Sequence, residues 1–297
     1  VVVPRERFSC AKRCLESIYE HTRTPFRLVY IDGGSPSRLR RYLGTQARSK
    51  GFQVIRLDPY LSPNQARNLG LRQVKTKYVV FIDNDVLVSP GWLEALVQCA
   101  RDTDAWVVGP LYLMVQNGRE VIHMAGGTLQ IIEEEGRRIF HEQDRFPGMS
   151  LTDVPESLRR TPSELVEFHC MLLRTEVFER LGPLDEKLLA IREHDDLCLA
   201  VRKAGGAIYL EPDATVTYLP PPPVTLSDRK YYMLRWSKPW IEASLQHFHR
   251  KWNLDVDSLH RHYAWLWRRR YLFFRQYTRR LRPWRDWIAS MLGRHPA

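Results

Sequence analysis

The sequence predicts an α/β protein whose mostly parallel central sheet is flanked by helices and followed by a basic, aromatic-rich helical extension. Strand-like and helix-like patterns alternate from the first residue at the spacing of βαβ units. The run 78–82 is apolar and rich in β-branched residues, which is typical of a strand buried on both faces. Basic residues and tryptophans are concentrated after residue 229, and this change in composition predicts the extension.

Four strands alternate with four helices in the first part of the chain. Apolar runs predict the strands at 1–3, 27–31, 52–57 and 79–82. Amphipathic patterns predict the helices at 8–20, 38–49, 64–75 and 90–101. Pro90 begins the last of these helices, because proline is tolerated in a first helical turn. The alternation implies parallel strands joined by helical crossovers.

The regular alternation loosens after residue 105. We expect strands at 106–115, 166–174, 208–210 and 215–219, a hairpin at 121–140 around Gly126 and Gly127, and helices at 175–181 and 193–204. Four consecutive prolines at 220–223 predict a stiff polyproline segment. We therefore divide the chain into a domain at 1–219, a proline-rich linker at 220–228 and the extension at 229–297.

Composition and charge narrow the class of protein. The chain is 44% hydrophobic and 27% charged, which excludes a disordered protein. Its five scattered cysteines form no Cys-x-x-Cys pair, which favours reduced thiols over disulfides or a zinc site. No apolar run approaches the roughly 20 residues that cross a bilayer, so we expect a cytoplasmic location. The chain opens on Val1 inside a strand, so we also expect sequence upstream.

Asp83 and Asp85 lie at the end of the most apolar predicted strand. Open α/β sheets bind ligands at the carboxyl ends of their strands. Alternate residues of an extended chain point to one side, so the two carboxylates can share a hard divalent cation such as magnesium or manganese. Taken alone, an Asp-x-Asp pattern more often marks a polar turn. The surrounding segments must therefore decide whether this pair binds a cation.

Several segments resemble the family 2 glycosyltransferases with the GT-A fold, in the order and rough spacing of that family. The matching segments are Val3–Arg5, Tyr30–Ser35, Asn64–Gly70, Phe81–Asp85, Cys170–Arg174 and Asp195–Leu199. The resemblance spans residues 1–219 and lapses after the prolines. It implies a nucleotide-diphospho-sugar transferase, with a nucleotide-binding half at about 1–105 and an acceptor half at about 106–219.

The resemblance assigns Pro4, Arg5, Asp32 and Arg67 to the nucleotide of the donor. Asp32 ends a strand before two glycines, so its carboxylate can face a ligand while the backbone turns away. The resemblance makes Asp32 a contact to the base, in a pocket that Pro4 and Arg5 line. Arg67 could bind a phosphate or orient a carboxylate. The simpler alternatives are an Asp-Gly turn and a solvated arginine on a helix.

For Asp83 and Asp85 the resemblance implies a divalent cation, manganese or magnesium, that bridges the diphosphate of the donor. Asp85 is the better direct ligand by analogy, with Asp83 near the ribose or reaching the ion through water. The sequence departs from the family at Tyr218, where many relatives carry a histidine that also binds the metal. The diphosphate and water would then hold the ion, or His169 or His123 would contribute. A histidine on an apolar strand such as His169 is more often a hydrogen-bonded core residue.

The general base is expected in the segment 193–195, at the start of a helix. The acceptor hydroxyl must lose its proton as it attacks the sugar, so an inverting transferase needs one base at this place. The resemblance places His194 where the family carries its basic aspartate, and nearby carboxylates could raise the basicity of this histidine. Glu193 or Asp195 could serve instead after a small change of register. The acids could also only cap the helix.

The extension holds seven of the nine tryptophans and all of the excess positive charge. Residues 229–297 contain 16 Lys and Arg against 4 Asp and Glu, whereas the whole chain carries a net charge of +11. If 263–281 is helical, an aromatic face lies opposite an arginine face. Such a helix could pack on the domain or lie on an anionic membrane surface, and we weigh these two equally. Nucleic acid ranks third, because no recognition motif accompanies the charge.

These observations predict an inverting, metal-assisted glycosyltransferase of cell-envelope polysaccharide biosynthesis. It would move a sugar from a nucleotide diphosphate sugar to a hydroxyl of a glycan or lipid-linked acceptor. A sugar nucleotidyltransferase is one alternative, but it would need a glycine-rich loop after the first strand, and 4–10 contains no glycine. The other is a membrane- or nucleic-acid-binding module that has lost activity through the changes at His194 and Tyr218.

Overall fold

A ten-stranded mixed sheet flanked by helices organises the computed structural model, which describes residues 1–154, 158–221, 224–255, 266–267 and 269–271. The strands follow one another in the order β10-β12-β6-β11-β4-β1-β2-β3, with β5 and β7 on the β12 and β6 side. The strands β3, β2, β1 and β4 are mutually parallel, and β12 is parallel to β6. The predicted fold class is confirmed.

The first part of the chain forms the predicted strands and helices, with small shifts at their ends. The strands are β1 (Val2–Val3), β2 (Val29–Gly33), β3 (Gln53–Leu57) and β4 (Tyr78–Asp83). The helices are α1 (Ala11–His21), α2 (Ser37–Lys50), α3 (Pro63–Leu71) and α4 (Trp92–Asp102). The start of α3 is fixed by a capping box between Ser62 and Gln65, with Pro63 in the first turn.

The second part contains the remaining strands and helices of the domain. The strands are β5 (Val86–Val88), β6 (Val107–Gln116), β7 (Arg119–Met124), β8 (Gly127–Glu134), β9 (Arg137–Asp144), β10 (Thr161–Ser163), β11 (Cys170–Arg174) and β12 (Ile208–Tyr218). The helices are α5 (Val177–Leu181) and α6 (Glu193–Lys203). The sequence analysis missed β5 and β10, which are only three residues long.

The hairpin predicted at 121–140 is wrong in the position of its turn. The hairpin consists of β8 and β9, and its turn lies at Glu135 and Gly136. Both turn residues have positive φ, 50° and 71°, as the tight turns that match strand twist require. Gly126 instead precedes β8, while β7 pairs with β6. The hairpin therefore extends further along the chain and brings the end of β9 toward α6.

The central strand β4 is buried between β1 and β11. Its Phe81 is fully buried and makes edge contacts with Phe168 and Phe178, at ring-centroid distances of 6.0 and 6.1 Å. Such edge-to-face contacts add to the hydrophobic gain of burial. This packing explains the apolar sequence of β4 and fixes the position of the carboxylates at its end.

The helices α7 (Arg229–Arg235) and α8 (Lys238–Trp252) follow the prolines and pack against the domain. On α7, Tyr231 stacks between Phe8 and Tyr60, at centroid distances of 5.0 and 5.2 Å. Trp236 is buried in a cluster that also includes Leu266. This part of the extension therefore packs on the domain, and the division of the chain at 220–228 stays a prediction.

Most of the predicted amphipathic helix at 263–281 lies outside the described residues. Within that stretch, Trp267 and Tyr271 are exposed at 72% and 62%, and Leu266 is buried. Across the described ranges, no helix combines the length and the apolar character that a membrane span requires.

Two glycines provide a matched test of the packing. In β6, a Cβ at Gly109 would lie 2.5 Å from Val166 Cγ1 and 2.8 Å from Tyr112 Oη. In α2, a Cβ at Gly44 would lie within 4 Å of a single atom among the described residues, Arg48 Nη1 at 3.8 Å. We expect Gly109→Ala to lower the free energy of unfolding by about 1–3 kcal/mol through overpacking. We expect Gly44→Ala to raise it by about 0.5–1 kcal/mol through helix propensity.

Urea unfolding of the two variants and the parent checks this prediction. Equal effects of the two substitutions would contradict the packing around β6.

Candidate active site

A cavity of about 430 Å³ opens where several strands of the sheet end on the same edge. The carboxyl ends of β1, β4 and β12 meet there, as does the amino end of the antiparallel β11. Six of the nine side chains that the sequence analysis assigned to the site line this cavity. They are Arg5, Arg67, Asp83, Glu193, His194 and Asp195.

Asp83 is held by two arginines at the floor of the cavity. Its Oδ1 accepts a hydrogen bond of 2.9 Å from Arg67 Nη2, and its Oδ2 lies 3.4 Å from Arg5 Nε. Burial alone would raise the pKa of Asp83, but Arg67, His169 and Arg5 outweigh burial and hold this pKa below its usual value. Arg67 is buried as well, so it is not the solvated surface charge that a lone helical arginine suggests.

Asp85 is fully buried, and neither of its carboxylate oxygens has a hydrogen-bond partner among the described residues. Burial, with smaller contributions from Glu6 and Asp83, raises the pKa of Asp85 to about 7, although Arg5 and Arg7 oppose the shift. Unpartnered buried carboxylate oxygens are costly, because they lose hydration without compensation. A cation is a natural partner for them.

Asp83, Asp85 and His169 each bring one potential metal-ligand atom into a group whose atoms lie within 4.8 Å of one another. Burial, together with Arg5, lowers the pKa of His169 to about 4, so the imidazole is neutral at neutral pH. Two carboxylates and a neutral imidazole suit a cation such as manganese or magnesium. The residues present therefore fit the cation that the resemblance implies.

Tyr218 lies beside this group, but its hydroxyl is already engaged. Its Oη accepts a hydrogen bond of 2.8 Å from Arg5 Nη1 and donates one of 3.2 Å to Glu6 Oε1. Burial raises the pKa of Tyr218 to about 12, so the phenol stays protonated at neutral pH. Tyr218 is therefore a poor ligand for a hard cation, as the sequence analysis expected.

Three of the nine, Asp32, Pro4 and the fully buried Asp85, lie outside the cavity lining. Asp32 Oδ2 is 2.6 Å from Arg56 Nη1, and its Oδ1 accepts a hydrogen bond of 2.9 Å from the backbone of Ser35. The carbonyl of Pro4 accepts a hydrogen bond from Tyr231 Oη. The contacts of Asp32 and Pro4 to a nucleotide base stay predictions, and Arg56 is a neighbour of Asp32 that sequence reasoning missed.

The start of α6 brings the three candidate bases to the opposite wall, each with a different environment. Glu193 Oε1 is paired with Arg235 Nη2 at 2.9 Å, and both side chains are buried. Asp195 Oδ2 is paired with Arg192 Nη1 at 3.0 Å, whereas Asp195 Oδ1 is buried without a hydrogen-bond partner in the described part of the chain. Glu193 is therefore committed to a structural pair, whereas Asp195 keeps one oxygen that accepts no hydrogen bond from a described residue.

The ionisation of Asp195 and His194 is linked by contact. His194 Nε2 lies 3.4 Å from Asp195 Oδ1 and 3.8 Å from Glu142 Oε1. Burial disfavours the imidazolium, but Asp195, Glu142 and Glu167 outweigh burial and raise the pKa of His194 to about 10. Burial, with Glu142, raises the pKa of Asp195, although His194 and Arg192 oppose this. At neutral pH His194 is thus a cation, which cannot accept a proton.

Glu142 and Glu167 are the acidic residues of the cavity that sequence reasoning missed. Glu142 lies on β9, pairs with Arg192 and reaches α6 only because the hairpin extends past residue 140. Glu167 Oε2 lies 2.9 Å from His123 Nε2 and 3.4 Å from His169 Nε2. Neither residue belongs to a motif, so no local signal in the sequence distinguishes them from surface acids.

Comparison with known proteins places the fold and the sequence in one family. A model of the glycosyl transferase family 2 matches residues 1–182. The pre-mycofactocin glycosyltransferase of Mycobacterium tuberculosis is 25% identical over 221 residues, which cover 73% of this chain and 42% of that protein. The chain spans less than half of the length of the curated relatives that it matches.

Two solved structures share the fold. A crystal structure of GalNAc-T7 with UDP, GalNAc and Mn²⁺ superposes with a TM-score of 0.59 and 18% identity, over 87% of this chain and 52% of that one. The structure of residues 1–349 of S. aureus TarS in complex with UDP-GlcNAc gives a TM-score of 0.55 and 16% identity, over 87% of this chain and 67% of that one. Because the family model covers more than half of the chain, the chain belongs to the glycosyl transferase family 2.

Proposed function

We propose that the chain is an inverting glycosyltransferase that moves a sugar from a nucleotide diphosphate sugar to a hydroxyl of a glycan or lipid-linked acceptor, with assistance from a divalent cation. One observation carries the proposal: a single cavity is lined by Asp83, from the acidic pair, and by Asp195, whose buried Oδ1 accepts no hydrogen bond from a described residue. Transfer with inversion requires these two functions, a site for the leaving diphosphate and a base for the acceptor.

Asp83 and Asp85 form the donor side of the proposed site. They would hold a divalent cation, which neutralises charge on the diphosphate as it leaves. Arg5 and Arg67 line the same cavity and can bind phosphate oxygens or keep Asp83 ionised. Both solved relatives were determined with uridine nucleotides, and GalNAc-T7 with Mn²⁺. This supports a nucleotide sugar as the donor.

Asp195 is the best candidate for the base on the acceptor side. Its Oδ1 can accept the proton of the acceptor hydroxyl as that oxygen attacks the anomeric carbon. A raised pKa brings a carboxylate closer to the operating pH and makes it a better base. His194 is already protonated, and its positive charge keeps Asp195 ionised. Glu193 is held by Arg235 and would position the start of α6.

Contact between the extension and an anionic membrane surface is a further part of this proposal. It is supported by Trp267 and Tyr271, whose exposed side chains are four residues apart and adjoin a run of arginines. Aromatic side chains beside basic ones favour the interface of a bilayer. A lipid-linked acceptor would then be presented near the cavity.

Replacement of Asp85 should separate activity from stability. We expect Asp85→Ala to reduce Mn²⁺-stimulated hydrolysis of the donor by about 100-fold or more, because the diphosphate loses its charge compensation. The free energy of unfolding should stay equal or increase, since the variant removes a buried carboxylate that has no partner. Hydrolysis assays across uridine, guanosine and thymidine diphosphate sugars, combined with urea unfolding, measure both quantities.

Asp153→Ala, at an exposed position, is the matched control for Asp85→Ala. Full hydrolysis by Asp85→Ala would refute the metal assignment. An absence of hydrolysis or transfer by the parent, with every donor and acceptor offered, would favour a binding module instead.

Replacement of Asp195 should remove the chemical step. We expect Asp195→Asn to lower kcat for transfer by about 10²- to 10⁴-fold, the usual contribution of a general base, with little change in KM for the donor. Asp196→Asn is the control on the same helical turn. Asp196 contacts Lys251 and Trp252 instead of the cavity, so this variant should lose stability but keep kcat. Equal kcat losses in the two variants would contradict the role of Asp195.

The raised pKa of His194 predicts how stability depends on pH. A folded-state pKa of about 10, against 6.5 in the unfolded chain, contributes stability that is fully present below pH 6.5. This contribution is lost as the pH rises toward 10. We expect the parent to lose stability over this window and His194→Gln to show a flatter profile. Urea unfolding at pH 6, 8 and 10 tests this, and parallel profiles for the two proteins would disprove the shift.

His141→Gln, at a histidine whose side chain is 49% exposed, serves as the control for His194→Gln. Its profile should follow the parent.

A further inference from the structure

We propose that His169 is the third protein ligand of the cation bound by Asp83 and Asp85, and that Glu167 is the positioning residue that orients it. The proposal rests on the proposed function, because it concerns the same cation. It assigns the third ligand to the segment that precedes β11, whereas the resemblance places a metal-binding histidine of the relatives at the position of Tyr218.

The atoms of Asp85 and His169 that would bind the ion are buried and have no hydrogen-bond partner among the described residues, whereas Asp83 is shared with Arg67 and Arg5. Asp85 is fully buried with both oxygens unpartnered in the described ranges. His169 is 3% exposed, and its Nδ1 likewise has no hydrogen-bond partner there. This nitrogen lies 3.4 Å from Asp83 Oδ2. Three residues thus direct unsatisfied or shared ligand atoms toward one point.

The spacing of these atoms is close to that of a coordination sphere. The ligand atoms of Asp83, Asp85 and His169 lie within 4.8 Å of one another. Ligands about 2.1 Å from one ion can be at most about 4.2 Å apart. A small movement of the side chains would therefore close the set around an ion. The sphere would be completed by water and diphosphate oxygens, as is usual for hard cations.

Glu167 engages the other nitrogen of the His169 ring. Its Oε2 lies 3.4 Å from His169 Nε2 and 2.9 Å from His123 Nε2. Metal-binding histidines usually donate their second ring N–H to a carboxylate, which fixes the tautomer and the ring orientation. In this arrangement Nε2 carries the proton, and the lone pair of Nδ1 faces Asp83 and Asp85.

The backbone around His169 is fixed relative to both strands. The carbonyl of His169 accepts a hydrogen bond of 3.0 Å from the backbone N–H of Asp83. The hydroxyl of Tyr112 accepts one of 3.0 Å from the N–H of Glu167 and lies 2.9 Å from the carbonyls of Glu167 and Cys170. This network holds His169 at a constant distance from Asp83, as a preorganised ligand requires.

Tyr218 supports the ring of His169 without competing for the ion. The two rings stack with centroids 4.1 Å apart and an interplanar angle of 29°. The Tyr218 hydroxyl is engaged by hydrogen bonds with Arg5 and Glu6. Because the two rings are adjacent, an imidazole placed at position 218 would lie within reach of the same cation.

Electron paramagnetic resonance of Mn²⁺ added to the full chain tests the proposal, first with Mn²⁺ alone and then with Mn²⁺ and uridine diphosphate. The resonance signal of unbound Mn²⁺ gives the affinity of the chain for the ion. Electron spin echo modulation detects an imidazole nitrogen that is bound directly to it. We expect nitrogen modulation in the parent. His169→Ala should abolish this modulation and weaken Mn²⁺ binding by about 10- to 100-fold, and Glu167→Gln should weaken binding by about 10-fold.

Three further variants sharpen the experiment. His141→Ala, on the exposed hairpin, should bind Mn²⁺ as the parent does. His123→Ala should keep the nitrogen modulation, since His123 contacts Glu167 and not the carboxylate pair. Adding Tyr218→His to His169→Ala should restore nitrogen modulation and part of the affinity.

The proposal is overturned if the parent binds no Mn²⁺ under either condition, if bound Mn²⁺ shows no nitrogen modulation, or if the modulation survives in His169→Ala. His169 would then be a packed core residue. The parent spectrum decides the matter even if His169→Ala does not fold. Nitrogen-bound Mn²⁺ without sugar transfer would refute the proposed function alone, whereas transfer without nitrogen modulation would refute this ligand alone.

Discussion

The site depends on the burial of two like charges at the end of β4. Asp83 and Asp85 lose their hydration there, so the structure must supply positive charge from elsewhere. Arg5 comes from the end of β1 and Arg67 from α3, and both reach Asp83. The carboxylate of Asp85 accepts no hydrogen bond from any described residue. The asymmetry keeps Asp83 ionised within the protein and leaves Asp85 buried at a cost in stability, which the proposed cation would offset.

The same principle organises the opposite wall, where the extension supplies the compensating charge. Glu193 at the start of α6 is paired with Arg235 of α7, and Asp196 with Lys251 of α8. The excess of basic residues after residue 229 is therefore partly an internal requirement of the domain. A helix start rich in acids is favourable by itself, but burial of these acids requires partners. Packing of α7 and α8 on the domain thus shapes the electrostatics around the start of α6.

The sequence was sufficient to predict the sheet and the residues at its strand ends, because periodicity and apolar runs are local signals. The run before Asp83 is buried as expected, since β4 lies between two other strands. The position of Glu142 could not be predicted, because it depends on where the hairpin turns and on how β9 meets α6. Glu135 adopts positive φ although it is not a glycine, and the acidic run around it gave no turn signal. Arg56 beside Asp32 and Arg235 beside Glu193 are also distant from their partners in the sequence, so these contacts could not be predicted either.

The proposed base shows how neighbouring carboxylates can reverse an expectation from residue type. A histidine is the usual candidate near neutral pH, because its ordinary pKa is about 6.5. The carboxylates around His194 are close enough to raise this pKa to about 10, which leaves the ring protonated and unable to act as a base. Burial and Glu142 raise the pKa of Asp195, whereas the positive charge of His194 opposes this shift. Because efficient general bases titrate near the working pH, the raised pKa and the oxygen that accepts no hydrogen bond from a described residue support Asp195 as the proposed base.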